Sequence, residues 1–554
     1  MQSQLRSSAL DAANSLQFWL LTHGPRFWNT VQRVGPAERV VNRVLINSGV
    51  MKSDPRPYRL STLADYPSIE SLTDRTYNSR QLAAPPQPNG RSAPSPSPSD
   101  VAELFRRPGE RVDGKLVEET KLCPKSTVLF AYVAQWFTDG FLRSRRAEPG
   151  AKDYPELDPR RYRDISRTES TQEIDMTPLY GLNREQTRAL RTLERGRLRS
   201  QSIGGEEFPE FLFDASGEVK PEFECLPPPV GIDNKRVTPE MKASFFAMGS
   251  DAGNSQIGYA MLNVLFLREH NRIAGELERN HPDWDDERLF QTTRNTVVVA
   301  LMKLVIEEYI NHIAPYHFQF KLQPAGFSKQ PWMRPNWIAV EFNLLYRWHS
   351  LMPSTLTVHG EPRALEETIN DPRLLTRQGL GPLFDEASRQ RAGKVCLFNT
   401  ADFFHGLTTL PSIVQSRAVP LARYNDYREA CKMSRLQSLD ELSSDSRVRA
   451  ELARLYGNDI DDVEFYPGIF AEDLRPNSVL PGLLGTMVGV HAFSQLLTNP
   501  LLAPKIWDHP DTFGPEGRRI IEETNSLAAI VKRNLPKDAP EPEVRMTRAD
   551  WTRV

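Results

Sequence analysis

Apolar side chains recur every three to four residues through positions 126–143, 256–279, 286–313 and 336–351. That spacing gathers them on one face of a helix, whereas a strand needs a period of two. Strand signals are few and short. From Glu118 to about Leu535 the chain therefore predicts one large, mainly α-helical domain, spanning residues 118–535. Asp285, Asp286 and Glu287, just after Pro282, mark a helix start, because acids favour the positive end of the helix dipole.

Three regions flank this domain. Residues 1–53 contain short amphipathic pieces cut by Gly24-Pro25 and Gly35-Pro36, which stop helices. Phe18, Trp19, Phe27, Trp28, Val40 and Val44 alternate there with Arg26, Arg33, Arg39 and Arg43. Bulky apolar groups opposite arginines at helical spacing suit a helix lying in a membrane interface, and equally a helix packed on its own domain. Residues 54–117 form a connector whose Pro/Ser-rich stretch, 83–100, cannot bury a core. Residues 536–554 are charged and read as a loosely held tail.

The balance of 69 basic against 71 acidic residues, net charge -2, argues against a nucleic-acid partner, which needs a basic face. Cys123, Cys225, Cys396 and Cys431 are widely spaced and suit free thiols in a reducing compartment. No run approaches the roughly 18 to 20 apolar residues that span a bilayer, and the first fifteen residues lack a hydrophobic signal region. The expectation is an intracellular protein whose only membrane contact is peripheral.

Within residues 339–353, Tyr346 precedes His349 by three positions in an apolar, helix-forming segment. On a helix, positions i and i+3 share a face, so both side chains can look into one cavity. Such a pair is usually a core histidine beside a packing tyrosine. It also suits a histidine on a haem iron with a tyrosine near enough to lose an electron, although axial ligation carries little sequence signature of its own.

The segment EFNLLYRWHSLMP resembles the proximal-histidine region of the animal-type haem peroxidase superfamily, in its cyclooxygenase and fatty-acid dioxygenase branch. Further matching segments follow in the same order: FAYVAQWFTDGF at 130–141, DMTPLYG at 175–181, LREHNRIA at 267–274 and HPDWDDERLFQTTR at 281–294. IEEYINHIAPYHF at 306–318, YNDYR at 424–428, LYG at 455–457 and DVEFYP at 462–467 complete the series. The resemblance covers roughly residues 14 to 535 and implies the cyclooxygenase-like haem peroxidase fold, with short N-terminal membrane-binding helices around a substrate entrance. It implies haem as cofactor, held by His349, and a catalytic radical on Tyr346. Tyr309 matches the tyrosine that hydrogen-bonds the radical phenol, and Tyr316 the constriction at the channel mouth. Ile310, Ile313, Phe342, Phe493 and Ser494 match channel positions. The family's dimeric state extends to this chain as an expectation.

Three departures stand out. The distal haem helix retains Gln135, but Asp139 occupies the position of the histidine that cleaves the peroxide bond. An ordinary carboxyl, with a pKa of about 4, is a weaker base near neutrality, so weakened peroxidase activity is expected. The arginine that holds the substrate carboxylate is replaced by Ser48, and its acidic partner by Val488 or Gly489. Losing both charges together avoids an orphan buried ion. Arg43, Lys52 and His491 are the nearby polar candidates for the head group. The cysteine-rich N-terminal module of animal cyclooxygenases is absent from this sequence. The leading expectation is a haem-dependent dioxygenase that takes an unsaturated fatty acid and O2. A tailoring oxygenase for a lipid-like natural product and a non-catalytic haem-binding protein are the alternatives.

Overall fold

The computed structural model describes residues 16–53, 61–63, 66–83, 96–112, 115–144, 166–419 and 421–553. Most of the Pro/Ser-rich stretch, and the first residues of the N-terminal segment, lie outside the described residues. The N-terminal segment forms a helix over residues 16–22, then α1 (Pro25–Arg33) and α2 (Gly35–Val50). The two Gly-Pro pairs fall at the breaks, with proline in the first turn of each helix where its missing N–H costs nothing.

Helix α2 is held from below by Asn42, whose side chain donates to Lys321 O at 2.8 Å and accepts from Lys321 N at 3.1 Å. Asn47 accepts from Trp332 Nε1 at 2.8 Å. Ile46 and Val50 are buried, while Trp19, Leu20, Phe27, Val34, Val40 and Val44 face outward. Among the described residues, no helix is long and apolar enough to cross a membrane.

The core is built on α3 (Val128–Asp139), α4 (Ile257–Asn280) and α5 (Asp286–Leu304). Helix α4 is 24 residues long and buried along most of its length, so it forms the axis of the molecule. Its start is fixed by Gln256, whose side chain accepts from Gly258 N. A Cβ at Gly258 would lie 2.0 Å from the Tyr132 ring, so glycine is what lets α3 and α4 approach this closely. Helix α5 starts as the acidic run predicts, with the Asp285 side chain accepting from Arg288 N at 2.7 Å. It continues into a π-helical turn over Val305–Ile310 that carries Tyr309 and Ile310.

The predicted helix over 336–351 is shorter than its periodicity. Only α6 (Val340–Leu345) is α-helical; Tyr346 leaves the helix with φ −99°, and His349–Leu351 forms a separate 3-10 turn. Beyond Leu345 the apolar Trp348 and Leu351 are buried, while Tyr346, Arg347 and His349 are half-buried. Tertiary packing, rather than a helix face, selects those residues. Past a π-helical turn at His405–Thr409 come α7 (Leu410–Ala418) and, late in the chain, α8 (Gly482–Leu497).

Strands are minor, as expected: among the described residues there are four two-stranded antiparallel pairs. The tail is not loose. Arg553 donates to Pro315 O at 2.6 Å, Thr127 N donates to Met546 O at 3.0 Å, and Met546 is buried. Its charges and prolines suggest a solvated end, but the apolar side chain at Met546 and the backbone groups of 122–127 find partners in each other. All four cysteines are free.

Candidate active site

His349 is the centre from which the site is assembled. Burial, with Arg347 nearby, pushes its imidazole down to about 3, so the ring is neutral at physiological pH. Nδ1 lies 3.2 Å from Thr408 Oγ1. Thr408 donates its own proton to Phe404 O at 3.0 Å, so its oxygen accepts from the histidine. The proton therefore sits on Nδ1 and the Nε2 lone pair is left available, the form in which imidazole ligates a metal. Among the described residues Nε2 makes no hydrogen bond. Phe404 lies against the imidazole with ring centroids 5.0 Å apart.

Tyr346 and His349 do not share a helix, contrary to the i, i+3 reading, because α6 ends at Leu345, before both of them. They are linked instead through Trp348. Its ring lies 4.7 Å from Tyr346 and 6.1 Å from Phe130 on α3. Tyr309 stacks on the other neighbour of this cluster, 5.3 Å from Phe130. Burial raises the pKa of both Tyr346 and Tyr309, and each phenol feels the other. The two buried phenols act on each other as side-chain hydrogen-bond neighbours, although neither hydroxyl is well aligned for the bond.

Helix α6 is pinned so that Tyr346 stays in this cluster. Asn343 donates to Leu142 O and accepts from Arg347 Nη2 at 2.5 Å. Glu341, fully buried, accepts from Gln81 N at 2.7 Å and Tyr427 OH at 2.9 Å.

Gln135 and Asp139 are the two residues of α3 that are not buried. One turn apart on one face, they open towards the same space. Gln135 Oε1 accepts from Gln256 Nε2 at 2.7 Å, and Asp139 Oδ2 accepts from Tyr259 OH at 3.1 Å. Arg143 bridges onward to Asp251 at 2.5 Å. Burial works against the Arg143 cation, but Asp139 and then Asp251 outweigh it and raise its pKa. The Asp139 carboxylate is thus tethered by a phenol and compensated by a guanidinium.

A cavity of about 600 Å³ opens on the far side of this cluster, lined by Ile310, Ile313, Tyr316, Phe320, Phe493 and residues of the N-terminal helices. Ile310, Ile313, Tyr316 and Phe493, named from the sequence, all lie on this wall. Ser494 does not: its hydroxyl donates to Val490 O at 2.7 Å within α8, and it is absent from the cavity wall. Phe342 and Tyr309 are packed behind the wall. Phe342 is sandwiched between Tyr346, 5.5 Å away, and His491, 4.8 Å away. His491 is held by Gln81 Oε1 at 3.0 Å and is fully buried, so it is a packing and positioning residue rather than a head-group contact.

Thr408, Gln256 and Tyr259 are absent from the sequence reading, since hydroxyls and amides in unremarkable segments carry no signal. Arg143 carried one, standing four residues after Asp139.

The neutral His349 with a free Nε2 and the unpartnered buried Nε1 of its chain neighbour Trp348 fit a haem held from His349. The comparisons agree. The family model for animal haem peroxidases matches residues 139–545. The chain is 32% identical over 534 residues to prostaglandin G/H synthase 1 of Mus musculus, covering 95% of this chain and 82% of the relative. It is 30% identical over 525 residues to prostaglandin G/H synthase 2 of Bos taurus, covering 93% and 80%. The solved Oryza sativa fatty acid alpha-dioxygenase shares the fold, with a TM-score of 0.66 at 16% identity over 90% of each chain. The chain belongs to the animal haem peroxidase family. It is a haem-dependent oxidoreductase of cyclooxygenase-like fold.

Proposed function

We propose that this protein is a fatty-acid dioxygenase that inserts O2 into an unsaturated acyl chain through a radical on Tyr346. The observation that carries this reading is the pair of buried phenols, Tyr346 and Tyr309, that act on each other in the aromatic cluster beside His349. Tyr309 and the cavity residues Ile310, Ile313 and Phe493 are the supporting features, and the chain relatives are prostaglandin synthases.

Haem bound at His349 supplies the one-electron oxidant. Tyr346 gives up an electron and its phenol proton. Burial disfavours a free phenolate, so the proton leaves together with the electron. Tyr309 is the neighbouring phenol that steadies the radical. The Tyr346 oxygen then takes a hydrogen atom from a bis-allylic carbon, breaking the C–H bond and re-forming the phenol. Dioxygen adds to the carbon radical, and the resulting peroxyl recovers a hydrogen atom from Tyr346. The net change is C–H plus O2 to C–OOH, with the Tyr346 radical restored. The apolar wall holds the chain and keeps water from the radical.

Asp139 takes the acid–base position on the distal side, assisted by Gln135. Its side chain is tethered by Tyr259, and a carboxylate in place of an imidazole supports weak peroxidase turnover beside retained oxygenase chemistry. The outward apolar side chains of α1 and α2 support peripheral membrane contact at the cavity entrance.

The test is oxygen uptake by the haem-loaded protein with polyunsaturated fatty acids and trace peroxide. Uptake with a hydroperoxide product and a tyrosyl EPR signal is expected, and Tyr346→Phe should abolish both while leaving the Soret band in place. Uptake that survives in Tyr346→Phe would overturn the reading.

A further inference from the structure

The tail from Met546 to Arg553 closes on the back of the cavity wall. Thr547 pairs with Ser126 as an antiparallel bridge, with Thr127 N donating to Met546 O at 3.0 Å and Arg548 N to Lys125 O at 2.9 Å. The pairing sets the Thr547 hydroxyl 2.6 Å from Nδ1 of His312, whose Nε2 lies 2.8 Å from Ser126 Oγ. His312 is buried, and these two hydroxyls occupy both of its ring nitrogens. A neutral imidazole has one donor and one acceptor nitrogen, and a hydroxyl can satisfy either.

His312 sits on the helical turn Asn311–Ile313, directly after the π-helical turn that carries Tyr309. Its ring lies 4.5 Å from Phe130, on which Tyr309 stacks at 5.3 Å. The backbone leaves the helix at Ala314, with ψ 137°, so the carbonyls of Ala314 and Pro315 have no helical donor. Side chains supply one instead. Lys125 Nζ donates to Ala314 O at 3.4 Å and to Asn477 O at 3.1 Å, and Arg553 Nη1 donates to Pro315 O at 2.6 Å. Trp551 covers Lys125, whose Nζ lies 4.8 Å from the ring centroid.

Ile310, Ile313, Ala314, Pro315 and Tyr316 line the cavity, whereas no residue from 546 to 553 does. One side of this wall is therefore open space, and the tail is packed against the other. A wall that borders a void keeps its place by what grips it from behind. A misplacement of about 1 Å at a reacting group can cost about 100-fold in rate, so that grip bears on the chemistry.

We propose that Thr547 and Arg553 are positioning residues: the tail they anchor fixes the wall from Tyr309 to Tyr316, and so decides which carbon of a bound acyl chain meets Tyr346. The acyl chain and the radical rest on the oxygenase reading; the grip on the wall does not.

Two measurements on the haem-loaded full chain separate them. In hydrogen exchange read by mass spectrometry, Thr547→Val and Arg553→Gln should each speed the backbone amides of 309–316 by at least about tenfold and leave 257–280 unchanged. Linoleate is the second probe, because its bis-allylic radical takes O2 at either end of the pentadiene. The ratio of the two hydroperoxides should shift at least about threefold in both variants, and Thr547→Ser, which keeps the hydroxyl, should retain the parent ratio. Unchanged wall exchange overturns the grip. Faster exchange with an unchanged hydroperoxide ratio overturns the positioning role, even where uptake falls, because a merely structural part lowers the rate alone. A parent enzyme that takes up no oxygen refutes the Tyr346 reading and the choice of carbon with it, while the exchange rates still decide the grip.

Discussion

His349 Nδ1 donates to Thr408 Oγ1 at 3.2 Å, and Thr408 in turn donates to Phe404 O at 3.0 Å. This chain of two bonds fixes the histidine tautomer, and a hydroxyl acceptor leaves the ring less electron-rich than a carboxylate would. Thr408→Val removes the acceptor at nearly constant volume. Haem affinity is expected to fall by roughly tenfold, with an upward shift of the iron midpoint potential in spectroelectrochemical titration. An unchanged potential would show that Thr408 does not orient the ligand.

The distal side gives a gain-of-function prediction. Asp139→His places an imidazole at the acid–base position, where general acid–base catalysis contributes about 100-fold or more when geometry is right. Turnover of a small reducing peroxidase substrate should rise at least about tenfold, short of the full effect because Arg143 disfavours a protonated imidazole. No gain would remove Asp139 from the proton-transfer role.

Gly258 offers a stability test with an informative sign. Glycine to alanine inside an exposed helix gains up to about 1 kcal/mol. Here the new Cβ would overlap the Tyr132 ring at 2.0 Å. Gly258→Ala should instead lose roughly 2–3 kcal/mol, as overpacking does. Urea unfolding of the haem-free protein reads the difference; a stabilised variant would mean that α3 and α4 separate easily.

Buried histidines predict the pH dependence of the haem-free protein. Burial holds His270 at about 3 and His312 well below its ordinary value; His349 behaves likewise. Folded-state values lie below the unfolded value near 6.5, so the unfolded chain takes up protons that the folded chain refuses. Stability is full above pH 6.5 and falls as the pH drops below it, by roughly 2 kcal/mol per histidine at pH 5. Glu308, raised by burial to about 7, works in the opposite direction and offsets about one histidine. A net fall in Tm between pH 7.5 and pH 5 is expected in calorimetry; a flat profile would contradict it.

The outward face of α1 and α2 predicts reversible membrane binding. Replacing Phe27, Val40 and Val44 together by serine should reduce sedimentation with phospholipid vesicles by at least about tenfold, from the apolar area withdrawn. Unchanged partitioning would mean that another protein surface covers this face.

Local chemistry was legible in the sequence: the period of the apolar residues, the breaks at Gly24-Pro25 and Gly35-Pro36, the acidic cap at Asp285. These depend only on neighbours along the chain. The family was legible by motif around His349. What stayed hidden was every partner brought from far along the chain. Thr408 reaches His349 across 59 residues, Tyr259 reaches Asp139 across 120, and Gln81 reaches His491 across 410. The end of α6 at Leu345, the inward turn of Ser494 and the docking of the tail onto Thr127 belong to the same group. Periodicity records that a side chain is buried, but not against what. Hydrogen-bond partners and the tautomer of His349 follow from chain closure, which tertiary packing alone decides.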